Sequence, residues 1–135
     1  MTEFKSVTET FAVASQLSEQ DIAAAYEEGF RTIICNRPDG EEHDQPKIEA
    51  LKSKAEALGM TFLALPFSGA PSPTIADQQS DLINNAAQPV LAYCRSGTRS
   101  IMAWAVSQRG ENRRDEILNS AAKAGYDLRG IADIL

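Results

Sequence analysis

Residues 89–100 read PVLAYCRSGTRS: a short apolar run, one cysteine, a polar loop holding Gly97 between Arg95 and Arg99, and Ser100 at the head of a second apolar stretch. That order predicts a strand, a tight turn and the opening of a helix, with Cys94 at the junction. There the unpaired N–H groups of the loop and of the first helical turn favour negative charge. Arg95 and Arg99 add positive charge beside them. Such surroundings favour the thiolate, which is the nucleophilic form of cysteine. Gly97 permits a backbone bend that other residues resist, and Arg99 can close over an anion with its planar fork of donors. The plain alternative is an ordinary strand-to-helix turn whose cysteine is incidental.

Working outward, the same alternation continues. Toward the N-terminus come a helix over 74–85, a Pro/Ser/Gly-rich loop over 66–73 and a strand over 61–65. Before them, Pro46 opens a helix with Ile48, Leu51, Ala55 and Leu58 on one face, closed by Gly59. The β-branched strand 32–35 stops at the turn-forming run 36–40, and a helix capped by Ser18 precedes it. Strands over 4–7 and 11–15 begin the chain. Past the cysteine loop lie a very apolar helix over 101–106, a break at Gly110, a helix over 112–124 closed by Gly125, and a short helix over 131–135. This pattern predicts one α/β domain over residues 1–135, with a mostly parallel central sheet of about five short strands flanked by helices. Chemistry in such sheets belongs at the carboxyl ends of the strands, where Cys35, Asn36 and Cys94 fall.

Composition narrows the class. With 135 residues, 43% of them hydrophobic, the chain can build a core without disulfide or metal staples. A net charge of −6 argues against nucleic acid or an anionic membrane as a partner, so an anionic ligand must be drawn by a local basic patch. No secretory signal or transmembrane stretch is visible, and two distant cysteines fit reduced thiols in a cytoplasmic setting. Two cysteines and one histidine offer no zinc-spaced cluster, and no cofactor is expected.

The loop is of a kind two enzyme families share. Cysteine-dependent phosphatases carry Cys-x5-Arg; here the spacing is Cys-x4-Arg, one residue shorter and close to the six-residue loop of rhodanese-type sulfurtransferases. The rest of the chain is unlike a rhodanese. SQLSEQDIAAAYEEGFRTIICNRPDGEE (15–42), then LALPFSG (63–69), then YCRSGTRS (93–100), resembles the phosphatase-like domain of the beta-lactamase-hydrolase-like protein family, also labelled a sulfurtransferase family. The resemblance implies the dual-specificity (protein tyrosine) phosphatase-like fold. It makes Cys94 the nucleophile and Arg99 the anion-binding arginine. Arg95, Ser96, Gly97 and Thr98 become the substrate-binding cradle, and Ser100 the hydroxyl that steadies the thiolate. In that family the domain can be joined to a metallo-beta-lactamase-like, persulfide-oxidising domain. For a chain standing alone, such a partner would act in trans.

Two reactions compete: sulfur transfer from a sulfane-sulfur donor to a thiol acceptor through a Cys94 persulfide, and phosphoester hydrolysis through a phosphocysteine. Hydrolysis needs an acid for the leaving oxygen. Dual-specificity phosphatases keep an aspartate after the strand that corresponds to 61–65, where this chain has Pro66-Phe67-Ser68-Gly69. Persulfide transfer needs none, because its leaving group departs as an anion. A smaller ring also suits a terminal sulfur better than a whole phosphate. Sulfur transfer therefore ranks first and phosphatase second, with Asp39 or Asp77 as reserve acids. A non-catalytic anion-binding or redox-sensing module is a third reading. All three require a Cys94 sulfur that solvent can reach.

Other residues carry paired readings. Cys35, where the family more often has asparagine, is either a resolving thiol for an oxidised Cys94 or a buried small apolar residue, the commoner fate. Arg37 either meets the substrate anion or pairs with Asp39; alternatively both serve only the turn. His43 reads as a solvated loop histidine. Tyr93 stands where many cysteine phosphatases have histidine. Arg113 and Arg114 read as charged surface, and Ile101, Met102 and Trp104 as core.

Overall fold

The structure, a computed structural model, describes residues 2–135. β2 (Phe11–Ala14), β3 (Thr32–Cys35) and β5 (Val90–Tyr93) are buried along their whole length. Runs without a polar alternation are what parallel strands covered on both faces require. The sheet order is β1-β2-β5-β3-β4, with β1 (Lys5–Ser6) antiparallel to β2 and the remaining pairs parallel. β4 (Thr61–Ala64) forms one edge, with Phe62 buried, Leu63 half-buried and Thr61 and Ala64 exposed. β5 lies in the middle, with Tyr93 opposite Ala14 on one side and Cys35 on the other. The cysteine that follows Tyr93 thus leaves the sheet at its centre.

Side chains alternate across the strands and feed two apolar layers. Leu91 and Tyr93 join Leu17, Ile22 and Leu51 beneath α1 (Glu19–Glu27) and α2 (Ile48–Ala57). Val90 and Ala92 join Ile101, Trp104 and Ile117 beneath α3 (Pro73–Asn85), α4 (Thr98–Ser107) and α5 (Arg114–Lys123). Ile101 and Trp104 are core, as expected, and Met102 packs partly buried against them.

Helix starts follow local chemistry. At α1 the Ser18 hydroxyl accepts from Asp21 N while the Asp21 carboxylate accepts from Ser18 N, a reciprocal cap. At α3, Pro73 sits in the first turn and Ser72 accepts from Ile75 N. α2 begins at Ile48 rather than Pro46, and its first N–H is taken by Asp39 at 2.9 Å. α4 begins at Thr98, earlier than the apolar run alone indicates, because Gly97 occupies the N-cap with φ +91°. The last turn, Arg129–Ile134, is a 3₁₀ helix.

Candidate active site

The cradle is held open by tying its carbonyls outward. Arg95 O accepts from Gln16 N at 3.2 Å, and Gly97 O accepts from Ile101 N at 3.0 Å within α4. Ser96 O accepts from the Tyr126 hydroxyl at 2.9 Å. A carbonyl turned out turns the next N–H in, since a trans peptide carries the two on opposite sides. Gly97 N donates to the Cys94 sulfur at 3.0 Å. Only glycine fits at 97: its φ is positive, and a Cβ there would collide with the Tyr126 hydroxyl and crowd Ala14 O.

Cys94 is only 1% exposed, which departs from the expectation of a sulfur open to solvent. Arg99 lies beside it, and the guanidinium is already occupied. It donates to both oxygens of Glu41 at 2.8 Å and to Phe67 O at 3.0 Å. Glu41 is shared with Arg37, which donates to it at 2.9 Å, to Glu42 at 2.7 Å and to Gln16 Oε1 at 2.9 Å. Arg95 reaches Glu42 at 3.1 Å from an exposed position. Arg99, chiefly, and Arg37 hold the Glu41 carboxyl at about 2. The same pairing raises Arg99 further. Two carboxylates and three arginines therefore form one network over the cradle, and Glu41 binds Arg99 in the two-pronged way an oxyanion would.

Behind the cradle runs a buried polar chain. Asn36 Nδ2 donates to Leu65 O at 3.0 Å and to Gln79 Oε1 at 2.6 Å, and Gln79 Nε2 donates to Ser100 O at 3.2 Å. It fastens the end of β3, the middle of α3 and the first turn of α4 to one another.

Residues 3–111 match the family described as beta-lactamase hydrolase-like protein, phosphatase-like domain. This chain belongs to that family. A beta-lactamase hydrolase-like protein of Xylella fastidiosa is 34% identical over 126 residues, which cover 90% of this chain but 29% of that protein. The phosphatase-like domain thus spans under a third of its curated relative. Among solved structures, a Neisseria meningitidis protein proposed to be a phosphatase superposes with a TM-score of 0.84 at 33% identity, covering 96% of this chain and 93% of that one. The catalytic core of the PP-IP phosphatase SIW14 from S. cerevisiae, in complex with citrate, gives a TM-score of 0.66 at 14% identity, covering 96% of this chain and 80% of that one; it shows the fold alone.

Within this phosphatase-like domain several expectations need correction. Ser100 does not steady the sulfur: its hydroxyl is buried without a hydrogen-bond partner among the described residues, while its carbonyl is taken by Gln79. Asp39 is the N-terminal partner of α2 and does not pair with Arg37. Asp77 is engaged by Arg109 at 3.1 Å. Both reserve acids are therefore already engaged. Arg37, by contrast, is buried at the site. Cys35 is buried and donates to Arg37 O at 3.2 Å, and burial pushes its thiol up. Tyr93 packs edge-on against Phe62, and burial raises its hydroxyl. His43 is exposed. Arg113 lies within reach of Gln108 and Glu116, as charged surface.

Glu41, Glu42, Gln79 and Tyr126 escaped the sequence reading. Gln79 left a signal, a polar residue between Ala76 and Ile83 on the buried stripe of α3. Tyr126 left none, lying thirty residues from the cradle peptide it bonds.

Proposed function

We propose that the chain is a cysteine-dependent phosphatase acting on a small anionic phosphoester. What supports the reading is the Gly97 N–H directed at the Cys94 sulfur beside the Arg99 fork, in a family and a fold that are phosphatase-like. On sequence grounds sulfur transfer ranked first, for want of an acid. Asp39 and Asp77 are indeed engaged elsewhere, but the family and the solved relative favour phosphoryl transfer, and the order is reversed.

In this reading the substrate's phosphoryl oxygens take over Arg99 from Glu41, the displaced carboxylate uncovers Cys94, which is 1% exposed while the pairing holds, and the cradle N–H groups from Arg95 to Thr98 complete the seat. The Cys94 thiolate attacks phosphorus, and the bond to the leaving oxygen breaks with its electron pair staying on that oxygen. Water then attacks the phosphocysteine, giving inorganic phosphate and restoring the thiolate. An aryloxide leaves without help, whereas an alkoxide needs a proton. Cys35 stays a packing residue and Asp39 a helix-capping one.

The test is hydrolysis of an aryl phosphate alongside intact mass after incubation with thiosulfate. The expected result is turnover by the unaltered chain, none by Cys94→Ser, a fall of about a hundredfold or more for Arg99→Ala, and no added sulfur. One sulfur added at Cys94 without any hydrolysis would overturn it.

A further inference from the structure

We propose that Tyr126 is a positioning residue for the candidate nucleophile: its hydroxyl fixes the plane of the Ser96–Gly97 peptide so that the N–H of that peptide points at the Cys94 sulfur. The inference rests on the phosphatase reading only in calling Cys94 the nucleophile. One peptide unit carries both bonds. Its carbonyl accepts from Tyr126 at 2.9 Å, and its N–H donates to sulfur at 3.0 Å. Rotating that plane would break both together, so holding the carbonyl holds the donor.

The tyrosine is itself aimed. α5 ends in a double turn in which Gly125 takes φ +98° and donates to Ala122 O at 2.9 Å, while Tyr126 N donates to Ala121 O at 2.9 Å. That closure throws residue 126 back toward the sheet. Its ring packs in the apolar layer of α3, α4 and α5, with the Lys5 ammonium 4.6 Å from the ring centre. Burial, then the nearby Cys94 and Glu3, push the hydroxyl up, which keeps it a donor at neutral pH. The contact also accounts for a glycine at 97, since the hydroxyl stands where a Cβ would go. Tyr126 lies outside the segment 3–111 that matches the family, so the device belongs to this chain's C-terminal part.

The groups bearing on the sulfur are Arg99 from α4, Cys35 from β3 and Tyr126 from the C-terminal segment. A change in the hydroxyl alone leaves the others in place. The experiment measures iodoacetamide alkylation of the Cys94 peptide against pH, by mass spectrometry, for the unaltered chain, Tyr126→Phe and Leu128→Ala. Leu128 is a buried neighbour in the same layer and makes no bond to the cradle through its side chain. The expected result is a midpoint moved upward by about half a pH unit or more in Tyr126→Phe, and unmoved in Leu128→Ala. The Gly97 amide resonance, which needs no reagent and no substrate, should shift in Tyr126→Phe as well. An unmoved midpoint and amide, or equal shifts in both variants, would overturn the assignment. Neither measurement uses turnover, so this outcome is separate from the fate of the phosphatase reading.

Discussion

Glu41 offers two oxygens to Arg99 at 2.8 Å each, the same demand a phosphoryl group would make. Ligand and side chain therefore compete for one guanidinium. In Glu41→Gln the charge that holds this pairing is gone, and sulfate, whose own charge is constant over this range, should bind about tenfold more tightly or better, read by calorimetry. A variant that binds sulfate no better would show that the carboxylate does not compete. The pH dependence has a definite sign. The Glu41 carboxyl is lowered from 4.5 to about 2, so its hold is complete above about 4.5 and is lost as pH falls through about 2. The advantage of the variant should accordingly be flat between pH 5 and 8. At this scale the placement of Cys94 and Arg99 at one strand-to-helix junction was legible because loop, glycine and arginine are neighbours in sequence. Glu41 was not: it lies in a charged turn that reads as solvated, and its partner is 58 residues away.

The helix α3 shows how an element serves a site it does not touch through a charge. Its buried face reads Ala76, Gln79, Ile83, and the amide in the middle joins Asn36 to the Ser100 carbonyl. A buried amide is tolerated when its hydrogen bonds are made, and removing one partner strands the other. Gln79→Ala leaves Asn36 Nδ2 with Leu65 O alone and opens a gap beside α4. We expect a loss of about 2–4 kcal/mol in urea unfolding with the slope unchanged. A loss under about 0.5 kcal/mol would mean that the chain of amides is not a fastening. Elements themselves were read well where an unbroken apolar run or a cap marked them, as in β3, β5 and α1. Their ends were read less well. Pro46 suggests a helix start by itself, but the first N–H of α2, that of Ile48, takes its partner from Asp39, nine residues earlier. The start of α4 likewise depends on the backbone of Gly97, which no periodicity reports.

For the whole molecule the strand order carries the consequence. With β5 between β2 and β3, the strand that ends just before Cys94 feeds both apolar layers, Leu91 and Tyr93 into one and Val90 and Ala92 into the other. Parallel alternation was visible in the sequence, but it does not say which strand is central; that follows from which runs are buried on both faces, and three of them qualify alike. If the two layers share this sheet as one cooperative unit, damage to either must lower the same transition. Leu91 is fully buried in the layer of α1 and α2, and Ile117 is 1% exposed in the layer of α3, α4 and α5. Leu91→Ala and Ile117→Ala should each cost about 2–5 kcal/mol. In both, Trp104 fluorescence, which reports the second layer, and far-ultraviolet circular dichroism, which reports the whole chain, should give coincident curves. A Leu91→Ala protein whose dichroism falls before its tryptophan signal would show that the layers unfold separately, and the cradle between them would then be anchored to only one.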